Sequence, residues 1–199
     1  MCQIIVISGN RKIEKEFLSI QYKLNNDGIG VVCRNKDKWR WKKFMSFDKF
    51  YEFYISLLYD EYIYDECIIH FRKASSGTRD ITNVHPFLIS PYREVDLIEG
   101  ILEDGEVLLM QNGATARLPG LYKKTFGKDL KSKGSSDTKI WAFWLKNKGK
   151  FGIYDIIPEI TKYDKRSRFV LVSNNEGVIL LGNFIDYEGI KLSNSKYTL

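Results

Sequence analysis

The first residue with a reactive side chain is Cys2, which directly follows the initiator methionine. A small second residue permits removal of Met1, and Cys2 would then carry both its thiol and a free α-amine. A free α-amine has a pKa of about 7.7–8.0, so near neutral pH part of it can accept the thiol proton, directly or through water. The position therefore predicts a nucleophile with its own base. The alternative is that Cys2 is an ordinary small buried residue.

Several polar segments follow in a definite order along the chain. They read NDGIG (26–30), HFRKASSG (70–77), NVHPF (83–87), QNG (111–113), SSDT (135–138) and LSNS (192–195). Each has an ordinary structural explanation, such as a strand-end arginine in a surface ion pair, an Asn-Gly hairpin turn or an aspartate that caps a helix. The evidence for a shared site lies in their order and spacing, since any one of them occurs by chance in many chains.

Together with Cys2, these segments resemble the class II glutamine amidotransferases, whose glutaminase domain begins with a catalytic cysteine. The resemblance runs from residue 2 to about residue 195. It implies an α+β fold, a four-layer αββα sandwich of the N-terminal-nucleophile (Ntn) hydrolase type. It also implies the reaction: Cys2 attacks the side-chain amide carbon of L-glutamine, a thioester forms, ammonia leaves, and water releases glutamate.

The resemblance also implies roles for the other site residues. Asn112 Nδ2 and the Gly113 backbone N–H would stabilise the oxyanion, where loss of one donor typically costs ~10²–10³ in rate. Arg72 would hold the α-carboxylate of glutamine, and Asp137 would hold its α-ammonium group. Ser75 would add a hydroxyl contact. We expect no metal and no cofactor at this site.

Three positions depart from the family pattern. Lys73 stands where the family usually has tryptophan, Ser76 where it has histidine, and Gln111 where a histidine commonly precedes Asn-Gly. These changes alter the expected pocket wall but leave the nucleophile, oxyanion and amino-acid-binding positions in place. His70 and His85 are expected to be structural.

The elements that position these residues follow from hydrophobic periodicity. The β-branched run at 4–7 predicts a buried strand, and further strands are expected at 30–33, 67–72, 87–90, 106–110, 168–172 and 178–181. Apolar residues at three- and four-residue intervals predict helices after Ser46 and over 137–148, with a weaker candidate at 11–23. The polar, Gly/Lys-rich segment 123–136 is expected to be a loop.

Composition limits the domain organisation and the location. At 199 residues and 44% hydrophobic, the chain is long enough for one core, so we expect a single domain over 1–199. An odd number of cysteines without metal-ligand spacing favours a cytoplasmic protein that needs no disulfide. No stretch approaches the about 18 apolar residues of a spanning helix, so no membrane partner is expected.

The net charge of +6 includes one dense stretch, KDKWRWKK at 36–43. It is either a solvated basic loop or strand, or a contact for a phosphorylated substrate, a nucleic acid or an acidic partner. In the second case the rings of Trp39 and Trp41 would stack on bases.

Three functional hypotheses remain. The first is a glutaminase that delivers ammonia to a separate acceptor enzyme. The basic charge of the chain suggests that this enzyme acts on a nucleotide or nucleic acid. The second is an Ntn amidase that acts on another small amide or a γ-glutamyl compound. The third is a non-catalytic nucleic-acid-binding protein on the same fold.

Overall fold

The computed structural model describes residues 2–9, 11–59 and 64–195. Within these ranges the helices are α1 (Lys15–Leu24), α2 (Phe47–Tyr59), α3 (Leu118–Phe126), α4 (Asp137–Asn147) and α5 (Ile153–Tyr163), with a short 3-10 helix at Ile81–Asn83. The strands are β1 (Gln3–Ser8), β2 (Ile29–Asn35), β3 (Lys38–Phe44), β4 (Glu66–Phe71), β5 (Phe87–Ile89), β6 (Glu99–Ile101), β7 (Val107–Asn112), β8 (Arg168–Ser173), β9 (Gly177–Leu181), β10 (Ile185–Tyr187) and β11 (Ile190–Leu192).

The described strands form two antiparallel sheets. Sheet A has the order β10-β11-β1-β4-β2-β3-β6, and sheet B has the order β5-β7-β8-β9. In sheet A, Gln3 pairs with Phe71 and Ile4 pairs with His70. This register places Cys2 beside the end of β4, where Arg72 follows.

Side-chain alternation along the strands builds the layers, because successive residues point to opposite faces of a sheet. In β1, Ile5 and Ile7 pack with residues of α1 and α2, whereas Ile4 and Val6 pack between the two sheets. The outer face of sheet B packs against α3, α4 and α5. The molecule is therefore a four-layer αββα sandwich, and the predicted fold class is confirmed.

Two helices lie where the sequence predicted none, and both contain proline. Pro119 occupies the first turn of α3, where its missing N–H costs no hydrogen bond, and Gly127 ends that helix in a left-handed conformation at φ 68°. The predicted loop therefore begins only after Phe126. Pro158 lies inside α5, whose buried face still carries Ile153, Ile156 and Ile160. Tertiary burial of this apolar face outweighs the local cost of a proline.

The basic stretch at 36–43 forms most of strand β3. Trp39 and Trp41 are only 1% and 3% exposed, and both rings lie between the sheets, while Lys38 and Arg40 point outward. The expectation that these tryptophans could stack on bases is therefore wrong, because strand alternation turns both into the core.

The remaining cysteines face each other on neighbouring strands. Cys33 and Cys67 are free, buried thiols on β2 and β4, with their sulfur atoms 2.8 Å apart.

A separate feature concerns the helices: none in the described part of the chain is both apolar and long enough to traverse a bilayer.

Candidate functional site

The ends of several elements meet at one small cavity of about 20 Å³. It is lined by Cys2, Arg72, Lys73, Ala74, Ser75, Ser76, His85, Gln111, Gly113, Ser136, Asp137 and Thr138. The structure thus brings together five of the six predicted site residues, and the sixth, Asn112, lies in the chain between the lining residues Gln111 and Gly113. Larger grooves of about 620, 480 and 340 Å³ lie elsewhere on the described surface, and none of them is lined by a predicted site residue.

The Cys2 thiol is held by the backbone of Lys73. The Lys73 N–H donates to Sγ at 3.3 Å, and the thiol lies 3.4 Å from the Lys73 carbonyl oxygen, to which it can donate. Burial raises the pKa of the Cys2 thiol, against the opposing effects of the Lys73 N–H and the Arg72 charge. The thiol is therefore protonated at neutral pH, and nucleophilic attack from it needs a base.

Arg72 is 2% exposed, so it is not the surface ion pair that a strand-end arginine could have been. Its guanidinium donates to the carbonyl oxygens of Ser76, at 3.1 Å, and Asp27, at 3.5 Å. Burial lowers the pKa of Arg72, while Cys2 and Asp27 counteract that shift. Arginine nevertheless stays charged in proteins. A buried cation therefore lies at the cavity wall.

The sequence motifs did not reveal the role of Asp27, although this residue belongs to the NDGIG segment. Its carboxylate accepts the Ala74 N–H at 2.8 Å and pairs with Arg79 at 3.3 Å. Asp27 thereby holds both ends of the segment that follows Arg72. Only the closeness of residues 27 and 74 in space reveals this role.

The glycines of the NDGIG segment make room for the NVHPF segment. A Cβ on Gly30 would lie 1.7 Å from the His85 carbonyl oxygen, and one on Gly28 would lie 2.3 Å from Val84 Cγ2. The rings of His70 and His85 are in contact, with centroids 3.9 Å apart and planes inclined by 33°. Burial lowers the pKa of His70 to about 3 and that of His85 well below its usual value. Both rings are neutral at physiological pH, which fits packing better than proton transfer.

Replacing Gly30 with alanine is expected to destabilise the protein by about 1–3 kcal/mol or more, because the new methyl group meets backbone rather than a flexible side chain. The midpoint of denaturant-induced unfolding measures this loss. Gly120→Ala is the matched control: nothing lies within 4 Å of a Cβ there, and alanine favours a helix by roughly 0.5–1 kcal/mol. Equal stability of Gly30→Ala and the wild type would contradict the close packing of the two segments.

The side chain of Asn112 is tied to strand β1 through Ser193. Asn112 Nδ2 donates to Ser193 Oγ at 2.9 Å, and the same oxygen accepts the Ile4 N–H at 2.8 Å. Asn112 is 1% exposed. Because an amide nitrogen carries two hydrogens, the second remains without a partner among the described residues. Ser193 lies in the LSNS segment, and its anchoring role was not foreseen.

Gly113 needs to lack a side chain, since an added Cβ would lie 2.0 Å from Ser167 Oγ. Strand β7 ends at Asn112, and the chain continues to α3, whereas β7 pairs with the distant β5 and β8. The hairpin-turn explanation for Asn-Gly is therefore wrong. The turn leads out of a strand end at the cavity.

Asp137 is the first residue of α4, and Ser136 rather than Asp137 caps the helix by accepting the Lys139 N–H. The Asp137 N–H donates to Ser76 Oγ at 3.2 Å. The residue is 8% exposed, and within the described chain its carboxylate has no hydrogen-bonding or ionic partner. An unpaired carboxylate at a cavity wall is suited to a cationic ligand group. Ser75 is exposed and lines the same cavity.

Solved structures of other proteins share this architecture. No family model and no curated protein sequence matches the chain. The glutamine phosphoribosylpyrophosphate (PRPP) amidotransferase from B. subtilis, complexed with ADP and GMP, superposes with a TM-score of 0.56 at 18% identity, covering 96% of this chain and 41% of that protein. The chain shares its fold. A structure described as the allosteric regulatory enzyme of purine biosynthesis gives a TM-score of 0.57 at 17% identity, covering 99% and 42%.

These likenesses confirm the four-layer sandwich fold that the sequence resemblance implied. At 17–18% identity they show the fold alone. The chain spans about two fifths of the length of these proteins. Among the described residues, no cluster of three or more His, Cys, Asp or Glu side chains could hold a metal ion.

Proposed function

We propose that this chain hydrolyses the side-chain amide of L-glutamine, with Cys2 as nucleophile, and supplies ammonia to a separate acceptor enzyme. The observation that carries the proposal is the placement of a thiol, a buried guanidinium and an unpaired carboxylate around one cavity. An amino-acid substrate presents an α-carboxylate and an α-ammonium group, and Arg72 and Asp137 have the complementary charges. A glutamine amidotransferase with the same fold supports this choice of substrate.

Burial favours the neutral thiol of Cys2 as the starting state of the attack, because it raises the thiol pKa. With Met1 removed, the α-amine of Cys2 takes the thiol proton as Sγ bonds to the amide carbon. The carbonyl oxygen becomes an oxyanion that accepts hydrogen bonds from the free hydrogen of Asn112 Nδ2 and from the Gly113 N–H.

Ammonia leaves with the proton that the α-amine had accepted, and a thioester remains. Water then attacks the thioester carbon while the α-amine accepts a proton from it. Glutamate leaves, and the proton returns to the Cys2 sulfur.

The cavity of about 20 Å³ has room for roughly one water molecule and not for glutamine. Substrate binding therefore requires a wider cavity, which movement of the wall would provide. The segment from Lys73 to Ser76 is the part of the wall that can move most readily, because Lys73 and Ser75 are exposed. The hydrogen bonds that hold this segment include those from the Ala74 N–H to the Asp27 carboxylate, from the Asp137 N–H to Ser76 Oγ and from Arg72 to the Ser76 carbonyl oxygen.

A second candidate, an amidase for another small amide or a γ-glutamyl compound, is favoured by one observation. Lys73 and Ser76 line the cavity at the positions where the class II glutamine amidotransferases usually have a tryptophan and a histidine. The cavity wall is therefore more polar and less bulky than in that family. The basic-aromatic stretch gives no comparable support to nucleic-acid binding, because Trp39 and Trp41 are buried.

The test uses protein whose intact mass shows that it begins at Cys2. Incubation with L-glutamine is expected to release glutamate and ammonia in equal amounts. Asparagine and a set of γ-glutamyl amides are assayed in parallel, and a higher kcat/KM for one of them would favour the second candidate. Absence of hydrolysis of every amide would overturn the enzymatic proposal.

A further inference from the structure

Gln111 makes a set of buried hydrogen bonds that the proposed chemistry does not use. Its Nε2 lies 3.1 Å from Thr115 Oγ1, 3.1 Å from Ser167 Oγ and 3.2 Å from Asp164 Oδ2. On its other side, the Thr138 hydroxyl donates to Gln111 Oε1 at 3.0 Å. All five residues are at most 9% exposed. Gln111 thus bridges β7, the residues around Asp164 after α5, and the first turn of α4.

The Asp164 cluster, which consists of Thr115, Asp164 and Ser167, determines which way the Gln111 amide points. The hydroxyls of Thr115 and Ser167 both donate to Asp164 Oδ2, the latter at 2.7 Å. Each hydroxyl oxygen can then accept one hydrogen of Gln111 Nε2, because a hydroxyl donates once and accepts through two lone pairs. At Thr115 the other lone pair accepts the Trp141 indole N–H at 2.9 Å. A carboxylate on this side excludes the amide oxygen. Gln111 Oε1 must therefore face Thr138.

Asp164 remains ionised in this arrangement. Burial by itself raises the pKa of Asp164, but hydrogen bonds from Thr115, Ser167 and the Arg166 N–H outweigh it and lower the pKa below its ordinary value. The cluster thus keeps its acceptor character at neutral pH, and the orientation of Gln111 is stable.

We propose that Gln111 is a positioning residue that aligns Asp137 with the Asn112–Gly113 turn through its hydrogen bond with Thr138. Thr138 directly follows Asp137, and Gln111 directly precedes Asn112. One buried hydrogen bond therefore joins the strand end that carries the oxyanion donors to the helix turn that carries the carboxylate for the substrate ammonium group. This inference rests on the proposed function, and it accounts for glutamine in place of histidine. A neutral imidazole has one donor and one acceptor, fewer than the two donors and one acceptor used here.

The positioning of Asp137 by Gln111 and Thr138 should affect one group of the substrate more than the others. If the Gln111–Thr138 bond positions Asp137, its loss weakens recognition of the α-ammonium group and spares recognition of the rest of the substrate. Glutaramate, which is glutamine without the α-amino group, serves as the probe that makes no demand on Asp137.

The experiment measures dissociation constants by calorimetry in a Cys2→Ala background, where no turnover occurs. Thr138→Val replaces the hydroxyl with a methyl group, whereas Thr138→Ser keeps the hydroxyl. Gln111→Met has a side chain of similar length and removes the hydrogen bonds to Thr138 and to the Asp164 cluster. Asp137→Asn is the reference for loss of the carboxylate charge. Thr161→Val is the control, because among the described residues the Thr161 hydroxyl bonds only to carbonyl oxygens of its own helix.

We expect Thr138→Val and Gln111→Met to weaken L-glutamine binding by about tenfold and glutaramate binding by less than about twofold. Thr138→Ser and Thr161→Val are expected to bind both ligands as the parent does. An equal loss for both ligands, or an unchanged L-glutamine affinity in folded Thr138→Val, would overturn the positioning role. Thermal unfolding shows which variants are folded. The proposed function itself fails if the wild-type protein that begins at Cys2 releases no ammonia from L-glutamine.

Discussion

Cys2→Ala is expected to abolish hydrolysis of L-glutamine while leaving the fold intact. Removal of a covalent nucleophile typically lowers kcat by roughly 10⁶-fold, because the remaining groups cannot form the thioester. Within the described part of the chain, the Cys2 side chain forms hydrogen bonds only with the Lys73 backbone, so truncation removes few stabilising contacts. Ammonia release measured against protein concentration gives the rate, and circular dichroism with thermal unfolding reports the fold.

Cys33→Ala provides the matched control, since it removes a thiol that faces Cys67 in the layer between sheet A and its helices. Its activity is expected to stay within about twofold of the wild type once any loss of stability is allowed for. Wild-type activity in Cys2→Ala would show that the nucleophile lies elsewhere. Activity lost in both variants to the same degree would show a general effect of thiol removal.

The second large effect is expected for Asn112, whose replacement by alanine should lower kcat by about 10²–10³ with little change in KM. The reason is that the oxyanion exists only in the transition state and the intermediates, so a donor aimed at it contributes little to ground-state binding. Asn112→Asp is the isosteric test. It replaces a donor by an anion beside the developing negative charge, so the loss should be at least as large.

Ser193→Ala separates the donor from its anchor. It removes the hydroxyl that accepts from both Asn112 and Ile4, and leaves the Asn112 amide itself in place. We expect a loss of kcat smaller than that of Asn112→Ala, because the donor remains but is less well oriented. Steady-state kinetics on L-glutamine measure both constants. Unchanged kcat in Asn112→Asp would exclude Asn112 from oxyanion stabilisation.

The elements that the sequence predicted well are those whose local pattern agrees with their tertiary environment. The run of β-branched residues at 4–7 is strand β1, and the aromatic periodicity after Ser46 is helix α2. The three-residue strands β6, β10 and β11 carry too few residues to show a period. Helices α3 and α5 contain prolines that local propensity counts as breakers.

The residues around the cavity divide in a similar way. Motif spacing located Cys2, Arg72, Gly113 and Asp137, and the structure places all four at one cavity. The residues that hold this group were missed because their partners are distant in sequence. Asn112 meets Ser193 across 81 positions, and Gln111 meets Asp164 across 53.

By itself, the sequence determined which residue types recur with the periods of strands and helices, and in what order the polar segments follow Cys2. Tertiary structure alone decided how these segments face one another. It turned Trp39 and Trp41 inward, paired Asn112 with Ser193, and left the Asp137 carboxylate open to the cavity. The physical reason is that periodicity is a local property of the chain, whereas burial and hydrogen-bond partners depend on which strands become neighbours when two sheets pack.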